Sequence, residues 1–323
     1  MFSFSADVSS SIVGFLVQPK MVLRTPFHPL FLTESGSARF AKALCMNPCA
    51  SDLLKRFPAQ LKKMHWESMS RYCSDLDFMR RNMDKLHFGE MSSNPHAFPL
   101  LEEHLDQADF SDLSANPAAV SLLKRHPDRV DWSWACSNTN PDMVRWLEEK
   151  PERIDWQMLS SNPAAIDLLR RNQDRIDWDE LCFNESAGPI LAANVDKVNW
   201  TNLCTNPSPA AIALIRANLR LVDWAMLSSN KGAISILEEN PARIDWAFLS
   251  MNESASPLLR MHPERISYSL LAKNKGAIEL IVEHLDRIRL NLLAQNPGIF
   301  EVDLPSYRRA NRLLRSVCMK CKK

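Results

Sequence analysis

The chain reads as an all-α solenoid of about eleven two-helix repeats, each 22–24 residues long and flanked by terminal caps. Three observations predict it. An aromatic or apolar anchor returns at Trp66, Phe88, Phe110, Trp132, Trp156, Trp178, Trp200, Trp224, Trp246, Tyr268 and Leu290, in steps of 22 residues with two steps of 24. Asn stands six residues after ten of these anchors, from Asn94 to Asn296. The residue two before every anchor is apolar, as at Val130, Ile154, Ile176 and Ile244.

Residues 1–40 match no repeat, carry Pro19, Pro26 and Pro29, and are expected to form an irregular N-terminal cap. They lead into a degenerate first unit over 41–63 that keeps Cys45, Asn47-Pro48 and Leu53-Leu54, so the repeat domain spans 41–303. Within a full unit, Asp before the anchor (109, 131, 155, 177, 223, 245) caps a short helix that starts at the anchor. Leu three residues on, as at Leu159, Leu181 and Leu203, shares its inner face.

The Asn, followed by Pro in pairs such as Asn162-Pro163, is a cap and first-turn signal for a second helix. That helix carries Ala165, Ile166, Leu168 and Leu169 and stops at one slot, filled by Asn172, Asn194, Asn240, His104, His126, His262 or His284. One such unit cannot bury enough surface to fold alone, so stability accrues by stacking on neighbours. Trp132, Trp156, Trp178, Trp200, Trp224 and Trp246, with Asn162, Asn184, Asn206 and Asn230, are the structural determinants this register selects. On this reading Asn162→Ala costs about 1 kcal/mol by uncapping a helix and Trp178→Ala about 3–5 kcal/mol by opening a core cavity.

A leucine-rich-repeat-like α/β horseshoe also fits a 22-residue period, with Arg-Ile-Asp-Trp as a strand and the Asn residues forming a stacked ladder. The caps and the Pro placement favour the helical version.

The chemistry legible in the chain is sparse. Seven Gly residues and no Gly-rich phosphate loop, zinc-protease or nucleophile-elbow motif point away from an enzyme and imply no cofactor. Cys45, Cys136, Cys182 and Cys204 share the slot four after the anchor with Ser160, Ser228 and Ser250, a slot that wants a small residue. Equivalent positions in adjacent repeats lie about a helix diameter (~10 Å) apart, too far for a disulfide. Cys318 and Cys321 form a lone Cys-x-x-Cys without the two further ligands that a structural zinc needs. Six of the eight His occupy helix-stop or capping slots. The residue three before the anchor is basic in nine units and preceded by an acid in eight, the pattern of a solvated face rather than of a phosphate-binding groove.

The net charge of +1 hides seven basic and no acidic side chains in 307–323. The segment 304–323 is read as a basic amphipathic cap or tail whose Arg308, Arg309, Arg312, Arg315 and Lys320 could dock on nucleic acid, an acidic partner or an anionic surface. No apolar run reaches about 18 residues and the N-terminal stretch lacks a basic leader, so an intracellular, unsecreted product without a transmembrane segment is expected.

The phrase Ile-Asp-Trp-x-x-Leu-Ser-x-Asn-Pro-x-Ala-Ile-x-Leu-Leu, intact over 154–169 and nearly so over 222–237, resembles a short tandem repeat abundant in proteins of the large DNA viruses of algae and amoebae. The likeness covers about two-thirds to three-quarters of the chain. It implies a non-enzymatic repeat scaffold for protein–protein interaction with a host or viral partner, or else a structural component of a virion or other large assembly, and it brings no catalytic residues. Tyr72, in the place of an Asn, and Leu290, in the place of an aromatic, mark departures that suggest terminal units.

Overall fold

The computed structural model describes residues 21–24, 43–44, 47–55 and 63–302. These are mostly helical, with 22 α-helices, and the strands among them are two three-residue segments, Met21–Leu23 and Phe300–Val302.

The unit that opens at Asp155 shows how the sequence writes each element. Asp155 is extended and its carboxylate accepts from the Met158 amide at 3.2 Å, which starts the helix Trp156–Ser160. Beyond that helix Asn162 is again extended, and its Oδ1 accepts from the Ala164 amide at 2.9 Å. Pro163 takes the first position after it, where its missing N–H costs nothing. A single 3₁₀ turn, Pro163–Ala165, then runs into the α-helix Ile166–Arg171. The stop residue Asn172 turns its side-chain amide back onto the Leu168 carbonyl at 2.8 Å, satisfying an acceptor that the helix end leaves open.

A two-helix reading of the unit omits one piece. Between the stop slot and the next anchor lies a further 3₁₀ turn, Gln173–Arg175 here and Pro127–Arg129, Pro151–Arg153, Pro241–Arg243 and Pro263–Arg265 elsewhere. The Pro residues after the stop slot therefore start this turn as well as ending the helix before it.

The two longer units explain their extra residues. In them the second helix is continuous, Pro141–Glu148 and Pro209–Ala217, and is capped by Asn140 and Ser208, two positions beyond Asn138 and Asn206. The insertion separates the cap from the repeated Asn, whose position is unchanged. No strand forms at the Arg-Ile-Asp-Trp segments; Ile176 and Asp177 are only locally extended, so the α/β horseshoe is not the arrangement adopted.

The core is built from the Leu three after the anchor and the inner face of the second helix: Leu159, Ala165 and Leu169 are fully buried, as are Leu181, Ala187 and Leu191. Each such Leu contributes about 2 kcal/mol by leaving water. The anchors Trp156, Trp178, Trp200, Trp224 and Trp246 pack on this core while remaining half-exposed.

The two ends of the described chain meet. Met21–Leu23 pairs antiparallel with Phe300–Val302, in the register Leu23 to Phe300, and the Arg24 amide and guanidinium donate to the carbonyls of Ile299 and Gly298. The strand pair is tied to the helix Ser51–Leu54 by the Met21 amide, which donates to Asp52 at 3.0 Å. On its other side the same segment reaches the Trp66 unit, where Lys55 pairs with Asp75 at 2.9 Å. Contacts between neighbouring units thus run in a circle, with part of the stretch expected to be an irregular cap supplying one of the strands that complete it.

Candidate functional site

The most regular constellation in the molecule is a file of buried Asn side chains. Asn184 donates both amide hydrogens to the preceding unit, to the carbonyls of Ser160 and Asn162, each at 3.0 Å. Asn162 does the same to Cys136 and Asn138 (both 2.9 Å), Asn206 to Cys182 and Asn184 (2.9 and 3.2 Å), and Asn230 to Cys204 and Asn206 (2.8 and 2.9 Å). The remaining oxygen caps the turn within its own unit, as from the Ser186 amide to Asn184 at 3.0 Å. Every hydrogen-bonding group of the side chain is used, which is what permits a primary amide in a core. The ladder that the rival geometry carried is therefore present, built on helices instead of strands.

A second file runs beside the first through the slot four after the anchor. The Ser160 hydroxyl donates to the Trp156 carbonyl at 2.7 Å and accepts from the Asp177 amide of the next unit at 3.0 Å. Ser70, Ser92, Ser114, Ser228 and Ser250 accept in the same way from His87, Asp109, Asp131, Asp245 and Ser267. Smallness alone does not define this slot; it calls for a small side chain that can relay a hydrogen bond. Cys meets that need more weakly, with Cys136 Sγ accepting from the Asp155 amide at 3.3 Å and the Cys182 thiol donating to the Trp178 carbonyl at 3.2 Å. The alternation of Ser with Cys was the signal for this role.

Burial pushes the thiols of Cys73, Cys136, Cys182 and Cys204 up to about 11, so they stay protonated at neutral pH. All four are free, as is the half-buried Cys49. Cys45, Cys318 and Cys321 lie outside the described residues, as do Arg308, Arg309, Arg312, Arg315 and Lys320 of the basic tail.

The anchors are bracketed by polar partners. In six units the basic residue at the end lies over the ring that began the unit: Lys85 on Trp66, Arg129 on Phe110, Lys197 on Trp178, Arg243 on Trp224, Arg265 on Trp246 and Arg287 on Tyr268, between 3.7 and 6.0 Å from the centroid. His in the stop slot meets the same ring edge-on, as His262 does on Trp246 at 4.7 Å, and Trp146 takes this place against Trp132. The basic column is exposed, as expected of a solvated face, and six of its members also lie on aromatic surface, at about 0.5–1 kcal/mol per exposed contact. Its spacing after the anchor that begins the unit is the sequence signal for this contact.

The outward-facing positions vary from unit to unit. Trp134, Phe183, Leu221, Met251 and Met261 are large apolar side chains left exposed, Trp134 at 49% and Met261 at 64%. The position after each ladder Asn changes from unit to unit, from Pro163 to Glu185, Pro207, Lys231, Glu253 and Lys275. Exposed ion pairs join neighbouring second helices, Glu148 with Arg171, Arg216 with Glu239 and Arg260 with Glu283. Among the described residues there is no group of three His, Cys, Asp or Glu that could hold a metal ion, and no helix is long and apolar enough to cross a membrane. No family model matches the chain, and neither a curated protein nor a solved structure matches it.

Proposed function

We propose that this protein is a non-enzymatic repeat scaffold, a solenoid closed on itself, that binds a protein partner through exposed side chains of its first-helix layer. The observation that carries this reading is the division of labour in the unit. Buried Asn, Ser and Cys side chains are spent on joints between units, whereas exposed positions differ from one unit to the next. A constant frame with a variable surface is the logic of repeat proteins that recognise other macromolecules. Trp134, Phe183 and Met251 are the side chains that supply apolar contact area, and an exposed Trp is among the residue types most enriched in binding hot spots. By the likeness of its repeat phrase, the partner is a viral or host protein inside an infected cell.

The test compares the wild-type chain with a triple variant, Trp134→Ser, Phe183→Ser and Met251→Ser, in affinity purification followed by mass spectrometry, with circular dichroism as a check on folding. Loss of a specific partner from the folded variant supports the reading. Unchanged capture of every partner would reject this face as the binding surface.

A further inference from the structure

The first-helix layer changes its chemistry along the array. The stretches that open the Trp132, Trp156, Trp178 and Trp200 units, 132–140, 156–163, 178–187 and 200–208, hold no Lys or Arg. The corresponding stretches of the Trp224, Trp246 and Tyr268 units carry Lys231, Lys273 and Lys275, and their one acid, Glu253, pairs with Lys275 at 3.1 Å.

The charge of the first sector is gathered in the Trp178 unit. Its helix, Trp178–Leu181, carries Asp179 and Glu180, and the helical turn runs on to Phe183, whose amide donates to the Glu180 carbonyl at 3.1 Å. Residues three and four apart share a helix face, so the Phe183 ring, 44% exposed, stands beside both carboxylates. Glu185 is exposed two residues further on. Asp179 keeps its charge, because its partners are the neutral amides of Asn199, on the carboxylate at 2.8 Å, and Asn202, on the carbonyl at 3.2 Å. Glu180 and Glu185 pair with no cation among the described residues, whereas Glu148, Glu239 and Glu283 are each neutralised by an Arg of a neighbouring unit. On the two preceding units the layer continues without charge, through the half-buried Met158 and the exposed Trp134.

The molecule itself shows what complements such a group. Six of its own rings are covered by a Lys or Arg. An outward ring flanked by carboxylates draws the same side chain from another molecule, and a guanidinium suits it best: its plane stacks on the ring while its N–H fork binds a carboxylate. The sign of the charge repels nucleic acid and anionic lipid.

We propose that the partner meets this sector with a basic segment of protein, in which an Arg lies against Phe183 and pairs with Glu180 or Glu185 and a nearby apolar residue reaches Trp134. The inference rests on the recognition role proposed above for the first-helix layer and adds the chemistry of what that layer recognises.

The experiment selects a phage-displayed random peptide library on the full chain. The selected peptides are then measured by fluorescence anisotropy on the wild type, on Glu180→Gln with Glu185→Gln, on Phe183→Leu, and on the triple variant Trp134→Ser, Phe183→Ser and Met251→Ser, with circular dichroism as the check on folding. The selected sequences are expected to share an Arg near an apolar residue and to bind the Gln variant about tenfold more weakly. Their salt dependence should shrink on that variant, and Phe183→Leu should erase their preference for Arg over a Lys analogue. Peptides lost from the triple variant that share no basic residue, or that bind the Gln variant as well as the wild type, would overturn this inference and leave the recognition layer standing. Peptides that bind the triple variant as well as the wild type, or a selection that yields no common sequence, would overturn the layer as the binding surface and this inference with it.

Discussion

Asn47 donates a hydrogen bond to the carbonyl of Asn296 at 2.8 Å, across 249 residues of chain. Its second donor meets Ala294 at 3.0 Å, so the bond pattern is the one that Asn184 makes to the unit directly before it. The first unit behaves as the successor of the last.

Removing this contact should loosen the ends selectively. In Asn47→Ala, hydrogen exchange followed by mass spectrometry is expected to show faster exchange in Met21–Leu23 and Phe300–Val302, with the units from Trp156 to Trp224 unchanged. Equal acceleration throughout would mean that the end joint is not a separate interface.

The ranking of core substitutions is the reverse of the one that helix capping and aromatic size suggest. Asn184→Ala strips the Ser160 and Asn162 carbonyls of buried donors and the Ser186 amide of its acceptor. The Asn162 carbonyl keeps the Ala165 amide at 3.1 Å, so the Ser160 carbonyl and the Ser186 amide are the groups left unsatisfied, and at about 1–3 kcal/mol each the loss is about 2–6 kcal/mol. Trp178 is only half-buried, so Trp178→Ala should fall below the usual ~3–5 kcal/mol for a core aromatic. Urea melts of the two variants give the order directly, and a larger loss at Trp178 would count against the ladder as the dominant joint.

Ser160→Ala removes one acceptor for the Asp177 amide and one donor to the Trp156 carbonyl. A destabilisation of about 1–2 kcal/mol is expected. Ser160→Cys should recover part of it, because Cys136 already accepts the equivalent bond through sulfur. Identical midpoints for all three proteins would show that the slot selects for size alone.

The buried thiols predict an alkaline transition. Because folding raises their pKa from 9.0 to about 11, their neutral form is compatible with the fold below pH 9, and stability falls as pH rises from there through about 11. Thermal melts of the wild type and of a variant carrying Cys136→Ser, Cys182→Ser and Cys204→Ser should diverge in that window, with the wild type losing more. At about pH 8 the same three thiols should react with a thiol reagent only after unfolding. Parallel pH profiles for the two proteins would rule out a thiol contribution.

Much of the local fold was legible in the sequence because capping is a local code. The caps at Asp155 and Asn162 follow from one or two neighbouring residues, and the structure has both. The ladder was harder to read, since Oδ1 of Asn162 answers to Ala164 two residues away while its amide answers to Cys136 and Asn138 in another unit. A single side chain both caps its own turn and forms the ladder to the preceding unit, and the second role has no local sequence signal. Closure was not legible at all. Neither Asn47 nor Met21–Leu23 carries a mark that names a partner at the far end of the chain. The exposed side chains proposed for recognition show up only once burial is known, because Phe183 and Met251 occupy a slot filled elsewhere by Ser161 and Ser229.

The ends of the array meet within one molecule, and a disulfide tests this contact most directly. Val22 and Glu301 are register partners in the terminal strand pair, at a separation that antiparallel neighbours share with disulfide-bonded residues. In the double variant Val22→Cys, Glu301→Cys, mild oxidation should give a monomer in which the two introduced thiols are bridged within one chain, identified by peptide mass spectrometry and abolished by reductant. Free thiols at both positions, or cross-linking between molecules alone, would contradict closure.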